Sequence, residues 1–266
     1  MHTTIQALFA GLWSDYTKIT PSAQQIHQLL SSTDTDIVND HIALRTFNIE
    51  KVNIEKLSAH FIALGYEIKG DYDFKAKKLS AIHLEHSNPL SPKVFISELR
   101  VEELSSASQS IIRNMVEQLD ENVLSSDDFL YSGTHWQISK QDYVTLRDES
   151  EYAGWMAAWG YRANHFTVSV NHLASFDELS DVNKTLIDAG FKMNESGGLI
   201  KGGEDVCLAQ SSTMADQATA KFSDGNLDIP SCFYEFAQRY KLANGQYYQG
   251  FVAASADKIF ESTNAS

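Results

Sequence analysis

His41-Ile42-Ala43-Leu44-Arg45-Thr46-Phe47 is a short, apolar-rich stretch that reads as a β-strand opening on a histidine, and Asn164-His165-Phe166-Thr167-Val168-Ser169-Val170 repeats it in the second half of the chain. Each stretch is followed by an amphipathic helix that stops at a glycine. Residues 53–64 carry Ile54, Leu57, Phe61 and Leu64 at helical spacing before Gly65; residues 175–189 carry Leu179, Val182, Leu186 and Ile187 before Gly190. The first histidine precedes its glycine by 24 residues (41 to 65), the second by 25 (165 to 190). Tyr66–Ile68, Leu79–His86 and Lys93–Val101 then read as strands. In the second half Phe191-Lys192-Met193 matches the first of these, and Cys232-Phe233-Tyr234-Glu235-Phe236 matches Phe95-Ile96-Ser97-Glu98-Leu99, pairing Glu235 with Glu98. The recurring order of histidine, glycine and glutamate predicts an α+β fold built from paired βαβββ units, about 37–104 and 161–240, forming a curved mixed sheet around one cleft.

Outside the repeat, 3–30 and 106–159 read as helical additions to one catalytic domain spanning 1–266. Residues 141–159 form a single helical candidate whose Tyr143, Tyr152, Trp155 and Trp159 fit helix packing, and Gly197-Gly198 and Gly202-Gly203 read as turns. With 21 Lys+Arg against 35 Asp+Glu the net charge is −14, which argues against nucleic acid and against an anionic membrane as partners. A hydrophobic fraction of 43% is enough to build a core, so disorder is excluded. No run approaches the ~18 apolar residues of a membrane helix. The first residues carry no Lys or Arg ahead of their apolar stretch, so they do not read as a signal peptide and the cytoplasm is expected. Cys207 and Cys232, 25 residues apart, have neither a disulfide framework nor zinc-site spacing and read as buried small apolar residues.

Nine histidines are present, and only His41 and His165 hold equivalent places in the two units. Strand alternation puts His41, Ala43 and Arg45 on one face and His165, Thr167 and Ser169 on one face, with small residues leaving room for a ligand. If the units face a common cleft, these histidines converge with carboxylates from the last strands. Two histidines and one carboxylate leave open positions on a divalent metal, as in non-haem Fe(II) oxygenases; a second glutamate makes a four-ligand site suited to Lewis-acid chemistry. His83, Glu85 and His86 read as a solvated strand edge and form the rival metal cluster.

The segments Asn39–Phe47, Arg162–Thr167 and Phe233-Tyr234-Glu235-Phe236-Ala237 resemble the metal-site segments of the 2-oxoadipate dioxygenase/decarboxylase (2-hydroxyglutarate synthase) family, of the vicinal-oxygen-chelate superfamily. The resemblance spans nearly the whole chain, which looks shorter than bacterial members between the Glu235 strand and the C-terminal segment. It implies that His41, His165 and Glu235 bind Fe(II), and that Arg45 binds substrate. The segment Phe251–Phe260 is similar to one whose backbone lines the pocket, a role placed on Ala254 and Ser255. It also implies that a 2-oxo dicarboxylic acid and O2 become a 2-hydroxy acid and CO2, with no separate co-substrate. Crystallised protein of this kind can carry Zn, Ni or no metal instead of iron. Arg45 lies four residues beyond His41, about 13 Å along a strand at ~3.3 Å per residue, where its fork suits a distal carboxylate. The structural alternative for Arg45 is a salt bridge to Asp40 or Glu98. Two other functions are open: a glyoxalase-type isomerase or lyase using Zn or Ni with Glu98 as fourth ligand, and a metal-free binding protein. The sequence leaves the oligomeric state undetermined.

Overall fold

The two histidine-bearing stretches become neighbouring strands, β1 (Asn39–Phe47) and β5 (Ala163–Ser169), paired antiparallel at the middle of an eight-stranded sheet. The computed structural model describes residues 1–31 and 37–263. The first unit adds α3 (Ile54–Ile62), β2 (Tyr66–Phe74), β3 (Leu79–His86) and β4 (Lys93–Leu99); the second adds α8 (Leu179–Asp188), β6 (Lys201–Gly203), β7 (Leu208–Ser212) and β10 (Phe233–Arg239). Strand order is β2-β3-β4-β1-β5-β10-β7-β6. The pairings mirror one another about the β1–β5 seam. β1 is parallel to β4 as β5 is to β10, β4 is antiparallel to β3 as β10 is to β7, and β3 is antiparallel to β2 as β7 is to β6. This is the paired βαβββ arrangement expected from the sequence.

Local chemistry accounts for the repeated helices. Asn53 caps α3 by accepting from the Lys56 N–H, which satisfies an otherwise orphaned donor. Both units turn out of their helix through a glycine in the left-handed region, Gly65 at φ 90° and Gly190 at φ 89°, where a side chain would be strained. The helices bury most of the residues foreseen for their apolar faces, Leu57 and Phe61 in α3 and Leu179, Val182 and Leu186 in α8, whereas Ile54 and Leu64 are half-buried and Ile187 is exposed.

The additions are α1 (Ile5–Ile19), α2 (Pro21–Ser31), α4 (Ser106–Glu117), α5 (Glu121–Leu124), α6 (Lys140–Glu149), α7 (Glu151–Trp159) and α9 (Ala253–Ile259). Helix α1 covers the sheet face opposite the histidines: Trp13 meets Phe166 edge-on at 5.0 Å, and the Tyr16 hydroxyl donates to the Phe233 carbonyl. Helix α7 crosses the strand ends on the other side. Its Tyr152 hydroxyl donates to Ser97 O at 2.7 Å, and its Trp155 indole donates to Ser231 O at 2.7 Å, just before β10. The aromatics of α7 therefore pack as expected, with their polar tips satisfied. No helix among the described residues is long and apolar enough to cross a membrane.

Several local expectations are corrected. Residues 141–159 are two helices, because Ser150 leaves the helical region (φ −149°, ψ 113°) to cap α7 through the Ala153 N–H. Phe191-Lys192-Met193 is not a strand; Met193 makes an isolated bridge to Thr213, and the edge strand is the three-residue β6, so Gly202-Gly203 lie in a strand rather than a turn. An unforeseen hairpin, β8 (Gln217–Phe222) and β9 (Gly225–Pro230), separates β7 from β10. Asp224-Gly225 between alternating apolar residues was its signal. Cys207 and Cys232 are both free, but only Cys232 is buried.

Candidate metal centre

The cleft face of β1 and β5 presents His41 and His165 across the seam, with ring centroids 5.6 Å apart and planes at 84°. β10 runs beside β5 with Glu235 opposite Thr167, so the carboxylate rises between the two imidazoles. Glu235 Oε1 lies 3.6 Å from His41 Nε2, and Oε2 lies 3.1 Å from His165 Nε2. One ligand atom from each of the three residues falls within 4.8 Å of the others, and all three are buried.

Hydrogen bonds aim these atoms. His41 Nδ1 is 2.8 Å from Asp40 Oδ1, and His165 Nδ1 is 3.1 Å from Asn164 Oδ1. Oxygen acceptors at Nδ1 place the proton there and turn the Nε2 lone pairs inward. Gln210, on β7, donates from Nε2 to Glu235 Oε1 at 2.5 Å. Glu235 Oε2 is buried without a hydrogen bond and confronts the His165 Nε2 lone pair. Two lone pairs at that distance repel unless a cation lies between them. The donor set, two imidazole nitrogens and a carboxylate oxygen, thus fits a divalent transition metal.

Electrostatics agree. Burial, reinforced by the neighbouring Arg45 charge, holds His165 well below the ordinary imidazole range, which keeps it neutral and able to ligate a cation. Burial raises Glu235, partly offset by His41 and the Gln210 amide, so its carboxylate gains by meeting a cation. Burial would also raise Asp40, but the Arg239 charge and the hydrogen bonds from His41 and Arg239 outweigh it and bring Asp40 well below the usual carboxylate range. Arg239 grips Asp40 with two bonds, Nε to Oδ2 at 2.6 Å and Nη2 to Oδ1 at 2.8 Å. Its Nη1 donates to the carbonyls of Tyr248 and Gly250. Those bonds tether the segment carrying Phe251, whose ring stands edge-on to His41 at 4.8 Å.

The centre opens into a small cavity with Arg45, Phe95, Phe251 and Ile259 among its walls. Arg45 lies in the cavity wall on the same face as His41, as strand alternation required. Its ion pair is not with Asp40 or Glu98 but with Glu151 of α7, at 3.0 Å. Glu98 is not at the centre. β4 pairs with β1 so that Phe95 sits opposite Ala43, the place Glu235 takes opposite Thr167 in the second unit. The pseudo-equivalent of Glu235 is therefore Phe95, three residues from the glutamate matched in the sequence. Glu98 points to the opposite face, where Oε2 accepts from the Ile54 N–H at the start of α3 and burial raises its carboxyl. Ala254 is exposed and Ser255 lies against Gly202 of β6; the C-terminal segment lines the cavity through Phe251 and Ile259.

The rival cluster is dispersed. His83 is buried in an interior strand rather than at a solvated edge, bonded to Glu85 (3.0 Å) and to the Tyr72 hydroxyl (2.9 Å), while the His86 ring nitrogen accepts from Asn88. Among the described residues only His41, His165 and Glu235 form a group of metal-ligand geometry. Asp40, Gln210 and Arg239 were missed in the sequence. The signal for the first was visible: each site histidine directly follows an Asx residue, Asp40-His41 and Asn164-His165.

Paired βαβββ units with two histidines and a glutamate in the shared cleft define a vicinal-oxygen-chelate-type protein with a candidate metal centre. The family model for 2-oxoadipate dioxygenase/decarboxylase matches residues 6–247, and the chain belongs to that family. A rice (Oryza sativa subsp. japonica) protein named 2-oxoadipate dioxygenase/decarboxylase, chloroplastic/amyloplastic, is 36% identical over 276 residues, covering 94% of this chain and 76% of its own length. The crystal structure of rice hydroxyglutarate synthase in complex with 2-oxoadipate superposes with a TM-score of 0.88 at 34% identity, over 97% of this chain and 91% of that one. A Shewanella frigidimarina protein described as a candidate hydrolase gives a TM-score of 0.93 at 57% identity, over 96% of this chain and all (100%) of that one.

Proposed function

We propose that the protein is a non-haem Fe(II)-dependent dioxygenase/decarboxylase that converts a 2-oxo dicarboxylic acid of the 2-oxoadipate type and O2 to a 2-hydroxy acid one carbon shorter and CO2. The observation that carries this reading is Phe95 at the position pseudo-equivalent to Glu235. The cleft offers three protein ligands and an apolar fourth corner, so coordination positions remain for small molecules. A glyoxalase-type centre needs a carboxylate at that corner. Family membership and the rice complex with 2-oxoadipate support the substrate class.

Bound Fe(II) supplies the redox chemistry with O2 and a Lewis-acidic seat for the 2-oxo acid. Asp40 and Asn164 hold His41 and His165 in the tautomer whose Nε2 faces the metal, and Gln210 orients Glu235. Arg45 takes the distal carboxylate of the substrate in its planar fork. Phe95, Phe251 and Ile259 line the cavity with apolar surface and keep bulk water from the reacting carbons. The backbone of Ala254 and Ser255, in the segment that also carries Phe251 and Ile259, takes part in holding the substrate.

The test is anaerobic loading with Fe(II), elemental analysis, then O2 uptake on a panel of 2-oxo acids. One iron per chain is expected, with one O2 consumed and one CO2 released per 2-oxoadipate. Iron-loaded protein that consumes no O2 with any 2-oxo acid refutes the reading.

A further inference from the structure

Three residues at the start of α7 hold Arg45. Glu151, Tyr152 and Trp155 all come from the first turn and a half of α7. Glu151 Oε1 accepts from Arg45 Nη1 at 3.0 Å, and the guanidinium carbon lies 4.8 Å from the Tyr152 ring centroid and 5.0 Å from that of Trp155. Both rings are pinned at their polar tips. The Tyr152 hydroxyl bonds Ser97 O and accepts from the Thr46 N–H at 2.9 Å, and the Trp155 indole bonds Ser231 O. Glu151 is fixed in turn, because Oε1 also accepts from Thr263 Oγ1 at 2.5 Å. The ion pair spans a wall. Arg45 lines the cavity of the candidate centre, whereas Glu151, Trp155 and Thr263 line a separate groove behind it.

We infer that Glu151 is a positioning residue for substrate selection: from outside the cavity it fixes the Arg45 guanidinium, and so sets the preference for dicarboxylic over monocarboxylic 2-oxo acids. The inference rests on Arg45 taking the distal carboxylate. Glu151 does not line the cavity, so it acts on substrate only through Arg45. A bidentate carboxylate bond needs the guanidinium plane held to within about 10–20° of its productive orientation. Arg45 reaches its place through a long side chain with several rotatable bonds, and strand β1 alone does not supply that constraint. The acceptor oxygen matters more than the charge, because it sets the in-plane rotation of the fork while the two rings limit its tilt.

The test compares 2-oxoadipate with 2-oxohexanoate, which lacks the distal carboxylate. Steady-state O2 uptake gives KM and kcat, and anaerobic calorimetry on the Fe(II)-loaded protein gives Kd without turnover. Glu151→Ala should raise KM and Kd for 2-oxoadipate about tenfold, leave 2-oxohexanoate unchanged and keep kcat within about twofold. Glu151→Gln keeps an acceptor oxygen and should stay within about threefold of wild type. Thr263→Val, which frees Glu151 to rotate, should raise KM for 2-oxoadipate alone by about threefold. That variant carries the test if Glu151→Ala fails to fold. Equal effects on both acids, a change confined to kcat, or unchanged or tighter 2-oxoadipate binding in Glu151→Ala overturns the inference. Arg45→Ala separates the two levels: if it leaves the dicarboxylate preference intact, the reading of Arg45 itself fails.

Discussion

Replacing Arg239 with Met removes a charge from the interior while keeping most of the side chain's length. In the native protein Arg239 is 6% exposed and its partner Asp40 5%, joined by two bonds of 2.6 and 2.8 Å. Breaking a buried pair by deleting one partner costs about 3–5 kcal/mol, because the remaining charge stays desolvated. Losing the bonds to the Tyr248 and Gly250 carbonyls adds roughly 1–3 kcal/mol, since these are charge-assisted. Urea unfolding should therefore show a loss of about 4–8 kcal/mol, a large fraction of the ~5–15 kcal/mol available to a domain. The pH dependence has a definite sign. In the native protein Asp40 is depressed below its ordinary 3.8, so its stabilising contribution is full above that value and lost as pH falls through the lower folded-state value. In Arg239→Met the guanidinium is gone and burial dominates. The folded-state value then rises, and the variant recovers relative stability as the solution is acidified. Asp40→Asn in the same background should restore part of the loss. Because Asp40 orients His41, Fe(II) affinity of Arg239→Met should also fall, by about 10–100-fold. A stability loss below about 1 kcal/mol, or an unchanged metal affinity, would refute the chain of argument from Arg239 through Asp40 to His41.

Glu235→Gln should abolish stoichiometric Fe(II) binding. Glu98→Gln should leave it intact and change stability by less than about 1 kcal/mol, because burial already disfavours the charge and the amide oxygen can still accept from the Ile54 N–H, with metal titration deciding between the two variants. Gly160→Ala should lower stability by roughly 3 kcal/mol or more in thermal melts, because Gly160 has φ 65° and a Cβ there would lie 2.2 Å from the Gly133 carbonyl oxygen. Burial pushes the Cys232 thiol up to about 12, so Ellman's reagent on native protein should titrate Cys207 alone, and two rapidly reacting thiols would contradict the packing.

Much of the architecture was legible because it is local and repeated. Strand, helix and stopping glycine recur at nearly constant spacing, and the two glycines share one backbone conformation that only their position requires. The parity of β1 and β5 placed His41, Arg45 and His165 on the cleft face, since side chains alternate along any strand. The chain's own order could not set which residue of β4 lies beside which residue of β1. That register is fixed by long-range hydrogen bonding, and it put Phe95 where the repeat suggested a glutamate, sending Glu98 to the other face. The same limit hid the partners of the charged groups. Asp40 meets Arg239 across 199 positions of sequence, and Arg45 meets Glu151 across 106. Which opposite charge neutralises a buried one depends on which surfaces fold together. Sequence determined that two histidines and a carboxylate would be available on strands of matched polarity. Only the tertiary structure decided that three candidate ligands, not four, face one another, because the identity of the fourth corner follows from a register that no local preference encodes.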